Sequence, residues 1–169
     1  SPLMKQYLAG LLSHSAEITY FLAPYINSYK RFARGTFAPT RIIWSVDNRT
    51  AGYRICGDGT AGVRVECRIG GSDMNPYLAM AAQLAAGLSG IEAAMTLPEA
   101  AKGDVYKGRT AMLPTTLRDA RATLLKSKML RTAFGADVVQ HYARAAEWEI
   151  EEFDRIVTDY EVARGFERA

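Results

Sequence analysis

The sequence predicts an α+β fold, because different stretches of the chain carry different hydrophobic periods. Residues 42–69 hold three short β-rich runs separated by turn residues. Residues 75–160 instead place apolar side chains at three- and four-residue steps. Residues 3–22 show the same helical spacing, so helices flank the strands in sequence on both sides.

In chain order, Leu3, Tyr7, Leu8, Leu11 and Leu12 predict a helix from Leu3 to Ser13. A second helix from Ala16 to Leu22 ends before Pro24, since the residue preceding a proline is pushed out of the helical region. Residues 27–41 mix Asn, Ser, Gly, Pro and basic residues and read as a loop, with Gly35-Thr36-Phe37-Ala38-Pro39 as a turn or flap. Ile42 to Ser45, Ala51 to Cys56 and Gly62 to Ile69 read as strands. With turns at Asp47-Asn48 and Gly57-Asp58-Gly59 between them, they predict an antiparallel meander. Asn75 is a good N-cap and Pro76 fits the first helical position. Tyr77 to Ala94 is rich enough in Ala, Leu and Met to predict a helix buried on most sides. Residues 98–115, with Pro98, Gly103, Gly108 and Pro114, read as an exposed loop. Thr116-Leu117-Arg118-Asp119 resembles a capping box and opens a helix to about Lys128. A last long helix from Ala136 carries Val139, Tyr142, Ala146, Ile150, Phe153, Val157 and Tyr160 as its core stripe. Glu147, Glu149, Glu151 and Glu152 flank that stripe and read as a solvated face rather than a metal site.

At 169 residues, with 49% hydrophobic and 23% charged residues, the chain has an ordinary composition and suffices for one sizeable core. The longest mainly apolar run, Leu78 to Leu88, is shorter than the roughly 20 residues of a membrane span and is interrupted by Gln83. No membrane partner is expected. Cys56 and Cys67 lie in strands without a CxxC motif or a histidine at metal spacing, which predicts free thiols and a reducing, cytoplasmic setting. No secretory leader is expected. His14 and His141 fall in helical segments without evident partners and read as structural.

Arg64-Val65-Glu66-Cys67-Arg68 is the stretch richest in chemistry. In a strand, residues two apart share a face, so Arg64, Glu66 and Arg68 form one row while Val65 and Cys67 face the apolar side. At about 3.3 Å per residue, the two arginine stems stand about 13 Å apart with a carboxylate between them. Such a row spans a polyphosphate, and its glutamate offers the hard oxygen that a divalent cation takes. Taken alone, alternating charges on a strand more often mark a solvated sheet face. The surroundings argue for a ligand: between residues 31 and 68 stand Arg31, Arg34, Arg41, Arg49, Arg54, Arg64 and Arg68, against Asp47, Asp58 and Glu66 only. The whole chain is nearly balanced, with 21 Lys+Arg and 18 Asp+Glu, so the positive charge is concentrated. The segment has neither a recognition-helix pattern nor a zinc-finger spacing, which disfavours nucleic acid and favours a small phosphate- and carboxylate-bearing ligand.

Four ordered motifs then carry a resemblance. Asn27-Ser28-Tyr29-Lys30-Arg31, Asp47-Asn48-Arg49-Thr50-Ala51 with Arg54, Arg64-Val65-Glu66-Cys67-Arg68, and Asp73-Met74-Asn75-Pro76-Tyr77-Leu78-Ala79 resemble successive signatures of the glutamine synthetase family. Val157-Thr158-Asp159-Tyr160-Glu161 extends the likeness towards the end. The resemblance implies that residues 1–169 correspond to the C-terminal part of that family's catalytic domain, without its N-terminal β-grasp domain and the first half of the catalytic domain. It implies an ATP- and Mg²⁺- or Mn²⁺-dependent ligase. Such an enzyme activates the glutamate side chain as an acyl phosphate and joins it to ammonia or a larger amine, in a homo-oligomeric ring. Carried over by position, Arg31 and Arg68 would bind glutamate, and Arg49, Arg54 and Arg64 would face the ATP phosphates. Arg49 and Arg68 would also stabilise the transferring group, and Glu66 would be a metal ligand. The segment alone is expected to be inactive; a family member that has lost catalysis and serves in binding is the alternative. Tyr106 falls in the loop where some bacterial members carry a regulatory tyrosine, but its neighbours match poorly and no such regulation is expected.

One departure from the family pattern bears on the substrate. Where the family usually reads Pro-Gly-aromatic-Glu-Ala-Pro, this chain has Arg34-Gly35-Thr36-Phe37-Ala38-Pro39, so Phe37 replaces the flap acid of the ammonium site. An aromatic ring accepts no proton but packs against methylenes and faces alkylammonium ions. The change resembles the branch that uses amines such as polyamines or ethanolamine.

Overall fold

The computed structural model describes residues 1–168, and it is α+β as expected. Helices α1 (Pro2–Ser13) and α2 (Ser15–Leu22) lead into a 3₁₀ turn, Ile26–Arg31. Strands β1 (Trp44–Val46), β2 (Tyr53–Cys56) and β3 (Arg64–Cys67) follow. After them come α3 (Pro76–Glu92), a 3₁₀ turn Val105–Lys107, α4 (Leu117–Lys126), α5 (Lys128–Phe134), α6 (Ala136–Asp154) and α7 (Asp159–Phe166). No helix among the described residues is long and apolar enough to cross a membrane. Both cysteines are free: Cys67 stands opposite the buried Tyr53, whereas Cys56 lies on the other face of the sheet with Arg54.

The core is helical. Leu8, Leu11, Leu12, Ile18, Leu22, Leu117, Leu124, Leu130, Val139 and Ile150 are buried together, and Tyr53, Ile55 and Ile69 join them from the sheet side. The α1–α3 crossing sets how tightly this core closes. A Cβ on Gly10 would stand 2.2 Å from the Ala86 carbonyl oxygen, and one on Gly90 would stand 2.3 Å from that of Gln6. Backbone meets backbone there, so only glycine fits.

Four sequence expectations change. First, β2 and β3 pair antiparallel, but β1 and β2 pair parallel, with Trp44 beside Tyr53 and Val46 beside Ile55. Parallel neighbours ordinarily need a long crossover. Here β1 is only three residues long, so the return covers about 7 Å and residues 47–52 suffice. Second, α3 buries only its small face, Ala79, Ala82, Ala86, Gly87 and Gly90, because the close α1 crossing admits nothing larger. Tyr77, Met80, Leu84 and Leu88 are exposed on its far side. Third, the last helix breaks. Val157 and Tyr160 are 72% and 69% exposed, and Thr158 forms a capping box with Glu161 that starts α7 afresh. Fourth, Ser127 ends α4 and its side chain accepts from the Leu130 N–H, so a second short helix follows where one was expected.

Histidine 14 does have partners. Its ring bridges Glu17 at 3.0 Å and the Ser89 hydroxyl at 3.1 Å, pinning the α1–α2 corner to α3. Its role is structural, as expected. His141 stacks edge-on against Tyr142.

Gly90→Ala gains up to about 1 kcal/mol of helix propensity. The overpacking it introduces costs about 1–3 kcal/mol or more, because backbone on both sides cannot yield. A net fall in the urea midpoint is expected, whereas Ala→Gly at exposed Ala93 should lower it by less.

Candidate active site

The antiparallel register sets Arg54 directly opposite Glu66 and Cys56 opposite Arg64, so these side chains share the sheet face that β1 extends with Ser45. Two oxygens of one carboxylate then serve two guanidinium groups. Arg54 donates to Glu66 Oε2 at 3.3 Å and to Asp47 at 3.2 Å, and Arg68 donates to Glu66 Oε1 at 2.8 Å. The Cys56 thiol reaches Oε2 at 3.6 Å. Partial burial raises the Glu66 carboxyl's pKa, but the Arg68 charge, the Cys56 and Arg68 hydrogen bonds and the Arg54 charge outweigh it and hold the group below the usual carboxylate range.

Arg68 does more than pair. Its Nε donates to the Arg49 carbonyl at 2.8 Å and another nitrogen donates to the Phe37 carbonyl at 3.4 Å. One guanidinium thus joins the strand to the β1–β2 return and to the loop before β1. Phe37 has φ 59°, a left-handed conformation that costs a phenylalanine about 1–2 kcal/mol, and the residue is 60% exposed. Thr36 helps to hold that turn by accepting from the Ala38 N–H and donating to the Ala33 carbonyl at 2.7 Å.

Phe37, Asp47, Arg49 and Thr50 form one wall of an open cleft of about 630 Å³; Ala100, Ala101, Lys102 and Gly103 form the other. The second wall is tied down by Ser45 to the Ala101 carbonyl (2.6 Å), Asn48 to that of Gly103 (2.7 Å) and Trp44 to that of Pro98 (2.8 Å). Arg49 and Lys102 therefore flank one cleft with a single lining acid, Asp47.

The structure brings together Arg49, Arg54, Glu66, Arg68 and Phe37. Arg64 lies on the same face but at its exposed end, and among the described residues its side chain is bonded only to the Gly62 carbonyl, at 3.4 Å. Arg31 is outside the row: it donates to the Arg68 carbonyl at 3.3 Å and to that of Ile69, and lies over the Phe32 ring at 5.0 Å. Burial lowers its pKa, with Asp73 opposing. Part of the arginine excess is accordingly structural; Arg41 likewise binds the Tyr106 and Thr110 carbonyls.

Two contributors escaped sequence reasoning. Lys102 comes from a loop with no pattern to mark it. Tyr106 is buried, and its hydroxyl donates to the Ala38 carbonyl at 2.9 Å, bracing the Phe37 loop.

The donor set fits a phosphate group. Arg49 and Arg64 have no carboxylate partner among the described residues, and Arg54 Nε is buried without an acceptor. It does not make a metal site on its own. No cluster of three or more His, Cys, Asp or Glu side chains exists among the described residues, and both Glu66 oxygens already serve arginines.

Comparison with known proteins agrees with this picture. The profile of the glutamine synthetase catalytic domain matches residues 1–165. The chain is 47% identical over 168 residues to a gamma-glutamylethanolamide synthetase of Streptomyces coelicolor, covering 99% of this chain and 36% of that protein. It is 36% identical over 163 residues to the gamma-glutamylputrescine synthetase of Escherichia coli, covering 96% and 34%. Among solved structures, an ADP complex of GmaS superposes with a TM-score of 0.86 at 30% identity, over 99% of this chain and 40% of that one. The chain belongs to the glutamine synthetase family, on the side of its gamma-glutamyl-amine synthetases. It spans about a third of the length of those two curated relatives.

A carboxyl held below its unfolded value contributes stability at and above the unfolded pKa of about 4.3 and loses it as pH falls through the folded value. Part of the acid-side loss of stability therefore belongs to Glu66. Glu66→Gln should show a shallower decline below about pH 4.3 in urea melts taken across pH.

Proposed function

We propose that this chain forms part of the active site of an ATP-dependent ligase that joins the glutamate side-chain carboxylate to an alkyl amine. The observation that carries the reading is the Arg54–Glu66–Arg68 row, tied through Arg68 to the Phe37 loop. ATP, as substrate, supplies the terminal phosphoryl group that turns the glutamate carboxylate into an acyl phosphate; the amine then displaces phosphate.

Both steps build negative charge, and fixed guanidinium groups stabilise it without reorganising. On this reading Arg49, Arg54 and Arg64 meet the ATP phosphates. Arg68 faces the reacting carboxylate, its direction fixed by Glu66 and the Arg49 carbonyl. Arg31 takes the glutamate carboxylate with the donors left free by its two backbone contacts. Glu66 would hold a Mg²⁺ or Mn²⁺ ion together with ligands from the portion of the longer relatives that this chain does not span, and the ion would supply charge that offsets that of the phosphates. Residues 1–169 are then a C-terminal segment of a catalytic domain, without turnover alone, in a cytoplasmic homo-oligomeric ring.

Arg68→Ala in the full-length enzyme should lower turnover by about a hundredfold or more, because charge stabilisation in the transition state is lost. Steady-state kinetics decide this, and wild-type turnover would remove Arg68 from the mechanism. Phe37 is expected to select the amine. Burying a methylene is worth about 0.8 kcal/mol, so three or four carbons give about a hundredfold preference over ammonia. Comparison of kcat/KM for ammonia and a panel of alkyl amines should show Phe37→Glu moving that ratio towards ammonia; an unchanged ratio would place the amine site elsewhere.

A further inference from the structure

A second pocket, of about 350 Å³, lies between α2, the start of α3 and α6 and shares no lining residue with the cleft. Its size is at the lower end of the roughly 300–1,000 Å³ range of small-ligand sites. Five aromatic rings line it: Tyr20, Phe21, Tyr25, Tyr142 and Trp148. Three are locked against one another, with Phe21 edge-on to Tyr20 (5.3 Å, 73°) and to Tyr142 (5.4 Å, 78°). Tyr25 and Trp148 are 50% and 57% exposed, so the pocket has an aromatic rim open to solvent.

Glu149 is the pocket's only charged lining residue, and it is half-buried. Its neighbours on α6 are neutralised: Glu147 pairs with Arg121 and Arg144, Glu151 with Arg144, and Glu152 with Arg155. Glu149 alone of the four has no arginine, lysine or hydrogen-bond donor among the described residues. The pocket therefore combines an uncompensated carboxylate with an aromatic lining, and aromatic rings attract positive charge at their faces. An anion would meet repulsion, and a neutral apolar molecule would leave Glu149 unsatisfied. A compact, strongly hydrated ammonium ion would gain little from the rings, whereas alkyl groups on a cation bury apolar surface as well.

We propose that this pocket binds a small alkylammonium ion at a site separate from the cleft. The proposal does not depend on the ligase reading, and its probe need not react: choline has a quaternary nitrogen with no lone pair and cannot act as the attacking amine. Isothermal titration of the full-length protein with choline and with its neutral isostere 3,3-dimethylbutanol tests it. Choline should bind at least tenfold more tightly than the isostere. Glu149→Gln should weaken choline about tenfold, Trp148→Leu should weaken it as well, and Phe37→Ala should leave it unchanged. Absence of choline binding would overturn the proposal. So would equal binding of the isostere, which would indicate a plain apolar slot, or loss of binding in Phe37→Ala, which would place choline in the cleft that Phe37 lines.

Discussion

Two guanidinium groups on neighbouring strands would repel one another, and the carboxylate of Glu66 between them is what makes their proximity tolerable. The antiparallel register puts Arg54 opposite Glu66, and the two-residue step along β3 puts Arg68 on the same face. From that point order spreads outward: Arg68 is oriented by Glu66, and its remaining nitrogens fix the carbonyls of Arg49 and Phe37. A strand register is thereby passed to two loops that would otherwise be set only by their own turn chemistry. Cys56 adds a weak contact to the same carboxylate, so the three partners of Glu66 among the described residues come from β2 and from the residue that follows β3.

The helices make this arrangement rigid from behind. α1 and α3 approach so closely that backbone atoms touch at Gly10 and Gly90, and the sheet's inner face, with Tyr53 and Ile69 fully buried, closes on the core they help to form. Arg31 fastens the 3₁₀ turn to the chain leaving β3 by binding two consecutive carbonyls. Surface ion pairs of the kind seen along α6 contribute little to stability, so the energetic weight lies in burial and in these side chain-to-backbone ties.

Much of this was legible in residue order. Two-residue alternation exposed the Arg64, Glu66 and Arg68 row, three- and four-residue spacing exposed the helices, and the ordered motifs pointed to the family. Strand direction was not legible, since Asp47-Asn48 reads like a hairpin turn and nothing local reports that a strand will be three residues long. The break before α7 was in fact written in Thr158-x-x-Glu161, but the apolar stripe running past it masked the capping signal. Burial on α3 failed for a different reason: an Ala/Leu/Met composition does not say which side a neighbouring helix approaches. Tyr106 acts through a bond to Ala38, 68 positions away, and Lys102 faces a cleft wall built by residues 37–50, placements that no local pattern encodes.

The chain carries two tryptophans, and their placement makes each an optical reporter of a different region. Trp44 is partly buried, and its indole N–H is bonded to the carbonyl of Pro98, at the start of the loop that forms one wall of the cleft. Trp148 stands 57% exposed at the rim of the aromatic pocket. Their unequal access to water separates their emission in wavelength and in quenching by iodide. With one or the other tryptophan replaced, intrinsic fluorescence would follow the cleft in one variant and the pocket in the other, without an attached dye.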